Sequence, residues 1–219
     1  VPAGDIGVGG REIGYLYGAY KRIKQYDAGV LTGKPLDFWG SQGRTEATGY
    51  GVAYFVKELL HDLNDDFTNK RVFVSGSGNV AIYAIEKLQE LGAKVITCSD
   101  SDGFIYDDEG IDLTLLKDIK EVQRERLTAY AKIKSTAQYH EGSVWDFATK
   151  ADLAFPCATQ NEINQKQAEQ IVKNGVKVVA EGANMPCNAE AVDCFLENAI
   201  YDCPGKAANA GGVAVSALE

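Results

Sequence analysis

The residues with the clearest chemical purpose form one short run, Gly76-Ser77-Gly78-Asn79-Val80-Ala81, in the pattern G-x-G-x-x-A. Gly76 permits a tight turn, Gly78 removes the side chain that would hold a pyrophosphate away from the backbone, and Ala81 lets a helix pack closely on a strand. A helix opening here offers its first N–H groups and its positive end to phosphate oxygens. Gly76, Ser77, Gly78 and Val80 are therefore candidate cofactor contacts of a dinucleotide site. Asp100 follows Gly76 by twenty-four residues, near the spacing of about 20 at which an acid meets a ribose. A carboxylate there favours NAD. The 2′-phosphate of NADP would be repelled unless Ser99, Ser101 or a nearby basic side chain takes over. Glycine turns that only join a strand to a helix share the pattern, and Asp100 reads equally as a solvated turn residue.

Such a turn needs a strand before it and a helix and second strand after it. The apolar run Val72-Phe73-Val74, a helix from about Asn79 to Leu91 and a run Val95-Ile96-Thr97 supply them, with Gly92 at the helix end. Further strands are expected at Asp152 to Phe155, Val176 to Ala180 and Ala199 to Tyr201, alternating with helices at Gln165 to Lys173 and Ala189 to Glu197. This alternation predicts an α/β fold of Rossmann type, doubly wound, with a mainly parallel sheet and flanking helices. The charged segment Leu113 to Lys134 is expected to form a long surface helix. Ala158-Thr159-Gln160 and Asn184 follow predicted strands, at the strand ends where open α/β sheets bind ligands. They are nicotinamide-side candidates, although Asn and Thr also satisfy backbone groups in such loops.

Upstream, helices are expected around Glu12 to Tyr26 and after Thr45, the second with an apolar stripe of Val52, Phe55, Val56, Leu59 and Leu63. Gly29 to Arg44 between them reads as a site-shaping loop. Residues 1–68 are thus expected to line a cleft and residues 69–219 to form the dinucleotide domain, or the two to make one continuous domain.

The bulk properties narrow the partners. A net charge of −9, from 22 basic and 31 acidic side chains, argues against nucleic acid. No apolar run reaches the ~18 residues of a membrane helix, and no secretory leader pattern opens the chain. Five cysteines without a C-x-x-C pair indicate no disulfide framework and no metal site, so a reducing cytoplasm is the expected compartment. His61 and His140 stand in no motif. The chain opens on Val1 inside a glycine-rich stretch, which reads as a fragment of something longer.

Beyond the turn, PAGDIGVGGREIGY at Pro2 to Tyr15, GSQGRTEATGYG at Gly40 to Gly51 and GKAANAGGVAVS at Gly205 to Ser216 resemble the glutamate dehydrogenases, in that family's order. PCATQNE at Pro156 to Glu162 and EGANMP at Glu181 to Pro186 match between them. The resemblance implies reversible oxidative deamination of L-glutamate to 2-oxoglutarate and ammonia, with hydride transfer to NADP or NAD, in a homohexamer. It implies that Asp5 shuttles protons, that Gly4 and Asn209 lie near the substrate, and that Thr32 and Ser216 contact its side-chain carboxylate. Arg44 would order the cleft, and Thr48 and Asn79 would contact the cofactor. The Ser99-Asp100-Ser101 run resembles NADP-using members. The family's catalytic lysine belongs to a segment before the first motif, a position that neither Lys34 nor Lys206 matches. A leucine- or phenylalanine-type dehydrogenase and a non-catalytic nucleotide-binding domain are the alternatives.

Overall fold

The computed structural model describes residues 2–5 and 7–219. Val1 and Ile6, the opening residue and one position of the first motif, lie outside the described residues. The chain runs through α1 (Gly10–Lys24), α2 (Arg44–Asp62), β1 (Arg71–Val74), α3 (Asn79–Glu90), β2 (Lys94–Val95), β3 (Thr97–Ser99) and β4 (Gly103–Tyr106). It continues through α4 (Leu113–Lys117), a π-helical turn at Asp118–Gln123, α5 (Thr128–Ile133) and β5 (Gln138–Glu141). The last third holds β6 (Leu153–Phe155), α6 (Gln165–Lys173), β7 (Val178–Ala180), α7 (Ala189–Glu197), β8 (Tyr201–Cys203), α8 (Gly205–Ala208) and α9 (Ala210–Leu218).

The main sheet has the order β2-β1-β6-β7-β8 and every pairing in it is parallel. Its central strands are continuous apolar runs because both faces are covered. Alternate side chains sort cleanly to the two sides. Val72, Val74, Leu153, Phe155, Val178 and Ala180 join Val52, Val56 and Ile85 of α2 and α3 in one core. Phe73, Ala154 and Val179 join Ala168, Ile171, Ala191 and Phe195 of α6 and α7 in the other. The sheet is doubly wound, as its alternating elements predict. Asn164 and Asn188 fix the starts of α6 and α7 by accepting from the N–H groups of Gln167 and Ala191. Ile13, Tyr17 and Leu31 form a small separate cluster at the N-terminal end of the chain.

Several expectations need correction. The run Val95-Ile96-Thr97 is not one strand: Val95 pairs with Val72 in the main sheet, whereas Thr97 pairs with Tyr106 in an antiparallel sheet ordered β3-β4-β5. That second sheet had no period to reveal it, since β5 (Gln-Tyr-His-Glu) has no fully buried residue. The segment Leu113 to Lys134 is not one long surface helix. Its Arg124 stands in the left-handed region, and Leu116, Ile119, Leu127 and Tyr130 are buried between the charges. The strand expected from Ala199 starts at Tyr201, because Asn198 ends α7 and Ala199 turns left-handed at φ 55°. On α2 the buried stripe is Val52, Ala53, Val56 and Leu60, while Phe55 and Leu63 are exposed.

Candidate active site

In the strand order, β2 and β6 flank β1, so successive crossovers leave β1 in opposite directions and open a crevice beyond the C-terminal ends of β1 and β6. Ser75 stitches the two strand ends: its N–H donates to Phe155 O at 3.2 Å and its hydroxyl accepts from Cys157 N at 2.9 Å. Gly76 follows at φ 84°, and a Cβ there would lie 2.9 Å from Cys157 O, so both backbone conformation and space demand glycine. Its N–H donates to Ser99 Oγ at 2.7 Å, which ties the turn to the end of β3. Ser77 is buried, while Gly78 and Asn79 are exposed. A Cβ on Gly78 would meet no atom within 4 Å beyond its two chain neighbours, so packing in this chain does not require glycine there. No side chain caps α3 at Gly78, which leaves its first N–H groups facing the crevice. Val80 is half-buried beneath them.

The loop after β6 holds the opposite wall. Glu162 Oε1 accepts from Ala158 N at 3.1 Å and from Thr159 N at 3.3 Å, and its Oε2 accepts from Trp145 Nε1 at 2.7 Å. Burial raises the Glu162 carboxyl above its ordinary range, against the pull of these donors. Glu162 was not singled out from sequence; its signal was an acid inside a motif that follows a strand.

Beyond β3, Asp100 does not present a free carboxylate. Oδ1 accepts from Asp102 N at 3.0 Å and Gly103 N at 3.3 Å, and Oδ2 accepts from Leu127 N at 3.0 Å. Ser101 Oγ instead meets Arg126 Nη1 at 2.6 Å, and Arg126 Nε lies 3.4 Å from Asp102. Arg126, a basic side chain that the sequence reading did not name, is brought to the hairpin from the far side of the π-helical turn.

A second group of residues gathers where α2 and α9 cross. A Cβ on Gly211 would lie 2.4 Å from Ala47 O, and one on Gly212 would lie 2.1 Å from Thr48 Oγ1. These two glycines let α9 lie directly on the N-terminal half of α2. There Arg44 Nε donates to Ser216 Oγ at 2.6 Å. Asn209, at the junction of α8 and α9, donates through Nδ2 to Asn184 Oδ1 at 2.9 Å and to Ala183 O at 3.2 Å. Thr32 pairs with Ala3 in a parallel bridge, and its N–H donates to Pro2 O at 3.1 Å, which brings Gly4 and Asp5 alongside it. The Thr32 hydroxyl oxygen is buried without a hydrogen-bond partner. Asp5 is exposed.

Residues 40–219 match the family model described as Glutamate/Leucine/Phenylalanine/Valine dehydrogenase. The chain belongs to that family. Among similar proteins, an NAD(P)-specific glutamate dehydrogenase of Xylanibacter ruminicola is 52% identical over 222 residues, covering all of this chain and 50% of that protein. An NADP-specific glutamate dehydrogenase of Helicobacter pylori is 54% identical over 227 residues, again covering all of this chain and 50% of the relative. The crystal structure of Plasmodium falciparum glutamate dehydrogenase superposes with a TM-score of 0.93 at 51% identity, over 99% of this chain and 47% of that one. The chain therefore spans about half the length of the relatives it matches. Within this member of the Glu/Leu/Phe/Val dehydrogenase family, the crevice at β1 and β6, the α2–α9 crossing and the Asn184–Asn209 contact carry all the sequence-derived candidates except the hairpin pair Asp100 and Ser101 and the N-terminal group around Asp5 and Thr32.

Proposed function

We propose that this chain is the cofactor half, and one side of the substrate cleft, of an NADP-linked glutamate dehydrogenase that interconverts L-glutamate with 2-oxoglutarate and ammonia. The observation that carries this reading is the Asn184–Asn209 hydrogen bond, which joins the cofactor-side loop after β7 to the segment that leads into Ser216. Cofactor and substrate motifs then share one wall.

In this reading residues 69–219 bind the dinucleotide and residues 1–68 complete the cleft. The turn from Gly76 to Val80 holds the pyrophosphate on the N-terminus of α3, with Asn79 and Thr48 as further contacts. Ala158, Thr159 and Asn184 border the nicotinamide. Ser101 and Arg126 bind the 2′-phosphate, which supports NADP over NAD: Asp100 spends both oxygens on backbone donors, and a guanidinium supplies the matching charge. When bound, NADP accepts the hydride from the substrate α-carbon. Thr32 and Ser216 offer hydroxyls to the side-chain carboxylate of glutamate, and Arg44 orients Ser216. Asp5, beside Gly4, exchanges protons with the substrate amine. Hydroxyls suit a carboxylate better than the branched or aromatic side chains used elsewhere in the family, because a buried charge needs partners.

The family resemblance supports a homohexamer working in the cytoplasm. No helix among the described residues is long and apolar enough to cross a membrane. Five buried free cysteines suit a reducing compartment.

Initial rates of the whole protein that contains this chain, with glutamate and each cofactor, test the reading. Glutamate-dependent reduction of NADP is expected. Reduction only with leucine or phenylalanine, or none with any amino acid, would overturn it.

A further inference from the structure

Lys34 and Glu219 are 185 positions apart in sequence and meet in the interior. Lys34 Nζ lies 2.8 Å from Glu219 Oε1, with side chains 1% and 0% exposed. Among the described residues, every other ion pair keeps at least one partner in contact with solvent. The pair is fully satisfied. The ammonium also donates to Val30 O at 3.1 Å and to Leu31 O at 2.6 Å, so its three protons have three acceptors. Glu219 Oε2 accepts from Gly33 N at 2.8 Å and Oε1 from Lys34 N at 3.0 Å. Burial works to raise the Glu219 carboxyl, but these donors outweigh it and hold it below its usual range, so it is ionised.

A buried ion pair is a poor source of stability, since an apolar pair of similar volume usually serves as well or better. Geometry is what it supplies. Lys34 stands two residues beyond Thr32, and Glu219 stands one helical turn beyond Ser216. The outer sides of those two residues are tied as well, Thr32 to Ala3 by a backbone bridge and Ser216 to Arg44 by a hydrogen bond. Without the central tie, the segment bearing Asp5 and Thr32 would hang from its own small cluster, Ile13, Tyr17 and Leu31, apart from the two sheet cores.

We infer that Lys34 and Glu219 are positioning residues, a buried tie that sets the spacing between the Thr32 and Ser216 hydroxyls and so tunes the subsite for the substrate's distal carboxylate. The inference rests on the proposed glutamate dehydrogenase function. It also removes Lys34 from consideration as a reacting amine, because its three protons are committed.

The test uses the whole protein and reads glutamate and NADP separately. Lys34→Met alone would leave a buried carboxylate unpaired, so the informative variant is the double neutral change Lys34→Met with Glu219→Gln. Beside it, Glu219→Asp keeps the charge and shortens the tie by one methylene. Both variants are expected to raise KM for glutamate at least roughly tenfold, since a misplacement of about 1 Å is felt at that scale. KM for NADP should stay within about twofold of wild type. Wild-type KM for glutamate in a folded variant of either kind would overturn the inference, as would equal losses toward both ligands. Wild-type protein without glutamate-dependent NADP reduction would sink the functional reading first, and the inference with it.

Discussion

Asn209 donates a hydrogen bond through Nδ2 to Oδ1 of Asn184 at 2.9 Å, side chain to side chain between the loop after β7 and the start of α9. If cofactor and substrate walls are coupled there, the two residues should not act independently. A double-mutant cycle on kcat/KM with Asn184→Ala and Asn209→Ala is expected to show a coupling of about 0.5 to 2 kcal/mol. Strict additivity would place the two residues in separate roles.

Gly76 and Gly78 belong to one motif but answer to different demands. Gly76→Ala forces a side chain onto a left-handed backbone 2.9 Å from Cys157 O, and should cost roughly 1 to 3 kcal/mol of stability in chemical unfolding. Gly78→Ala meets no atom within 4 Å beyond its two chain neighbours. It should unfold at nearly the wild-type denaturant concentration yet bind NADP more weakly in a direct titration. Unchanged affinity would mean that Gly78 faces no ligand.

In the proposed function, cofactor preference turns on the hairpin. Arg126→Ala removes the guanidinium that meets Ser101 at 2.6 Å. It should weaken NADP at least about tenfold while leaving NAD within about twofold, because only the 2′-phosphate needs the charge. A parallel loss for both cofactors would move Arg126 from recognition to structure.

The fold was legible wherever one physical signal dominated. Glycine spacing located the turn at Gly76, and the alternation of helices with short apolar strands located α6 and α7 at the bounds observed. It was illegible where two signals competed. The charges of Leu113 to Lys134 concealed four buried apolar side chains, and β5 carries polar residues at an edge. In the site, residue types were readable but partners were not. Nothing local in Ser101 announces Arg126, and nothing in Lys34 announces Glu219, because both pairings arise only when distant segments are packed together.

Asp202 offers a stability test with a defined sign. Burial first, and the nearby Glu181 second, push its carboxyl up to about 6 from 3.8, and one of its oxygens is buried without a hydrogen-bond partner. The folded protein therefore holds the proton more tightly than the unfolded chain. Its stabilising contribution is complete below pH ~4 and is lost as pH rises through about 6. Asp202→Asn should match wild type near pH 4 and gain about 1 to 2 kcal/mol relative to it by pH 7, allowing for partial solvent screening. Thermal unfolding of both proteins at the two pH values checks this, and a pH-independent difference would contradict it.

The most direct test of the functional reading is a substrate comparison on the whole protein that contains this chain, measuring kcat/KM for glutamate, leucine and phenylalanine with NADP. The hydroxyls of Thr32 and Ser216 and the Arg44 hydrogen bond predict that glutamate exceeds both by at least about 100-fold. A higher kcat/KM for leucine or phenylalanine than for glutamate would contradict the account.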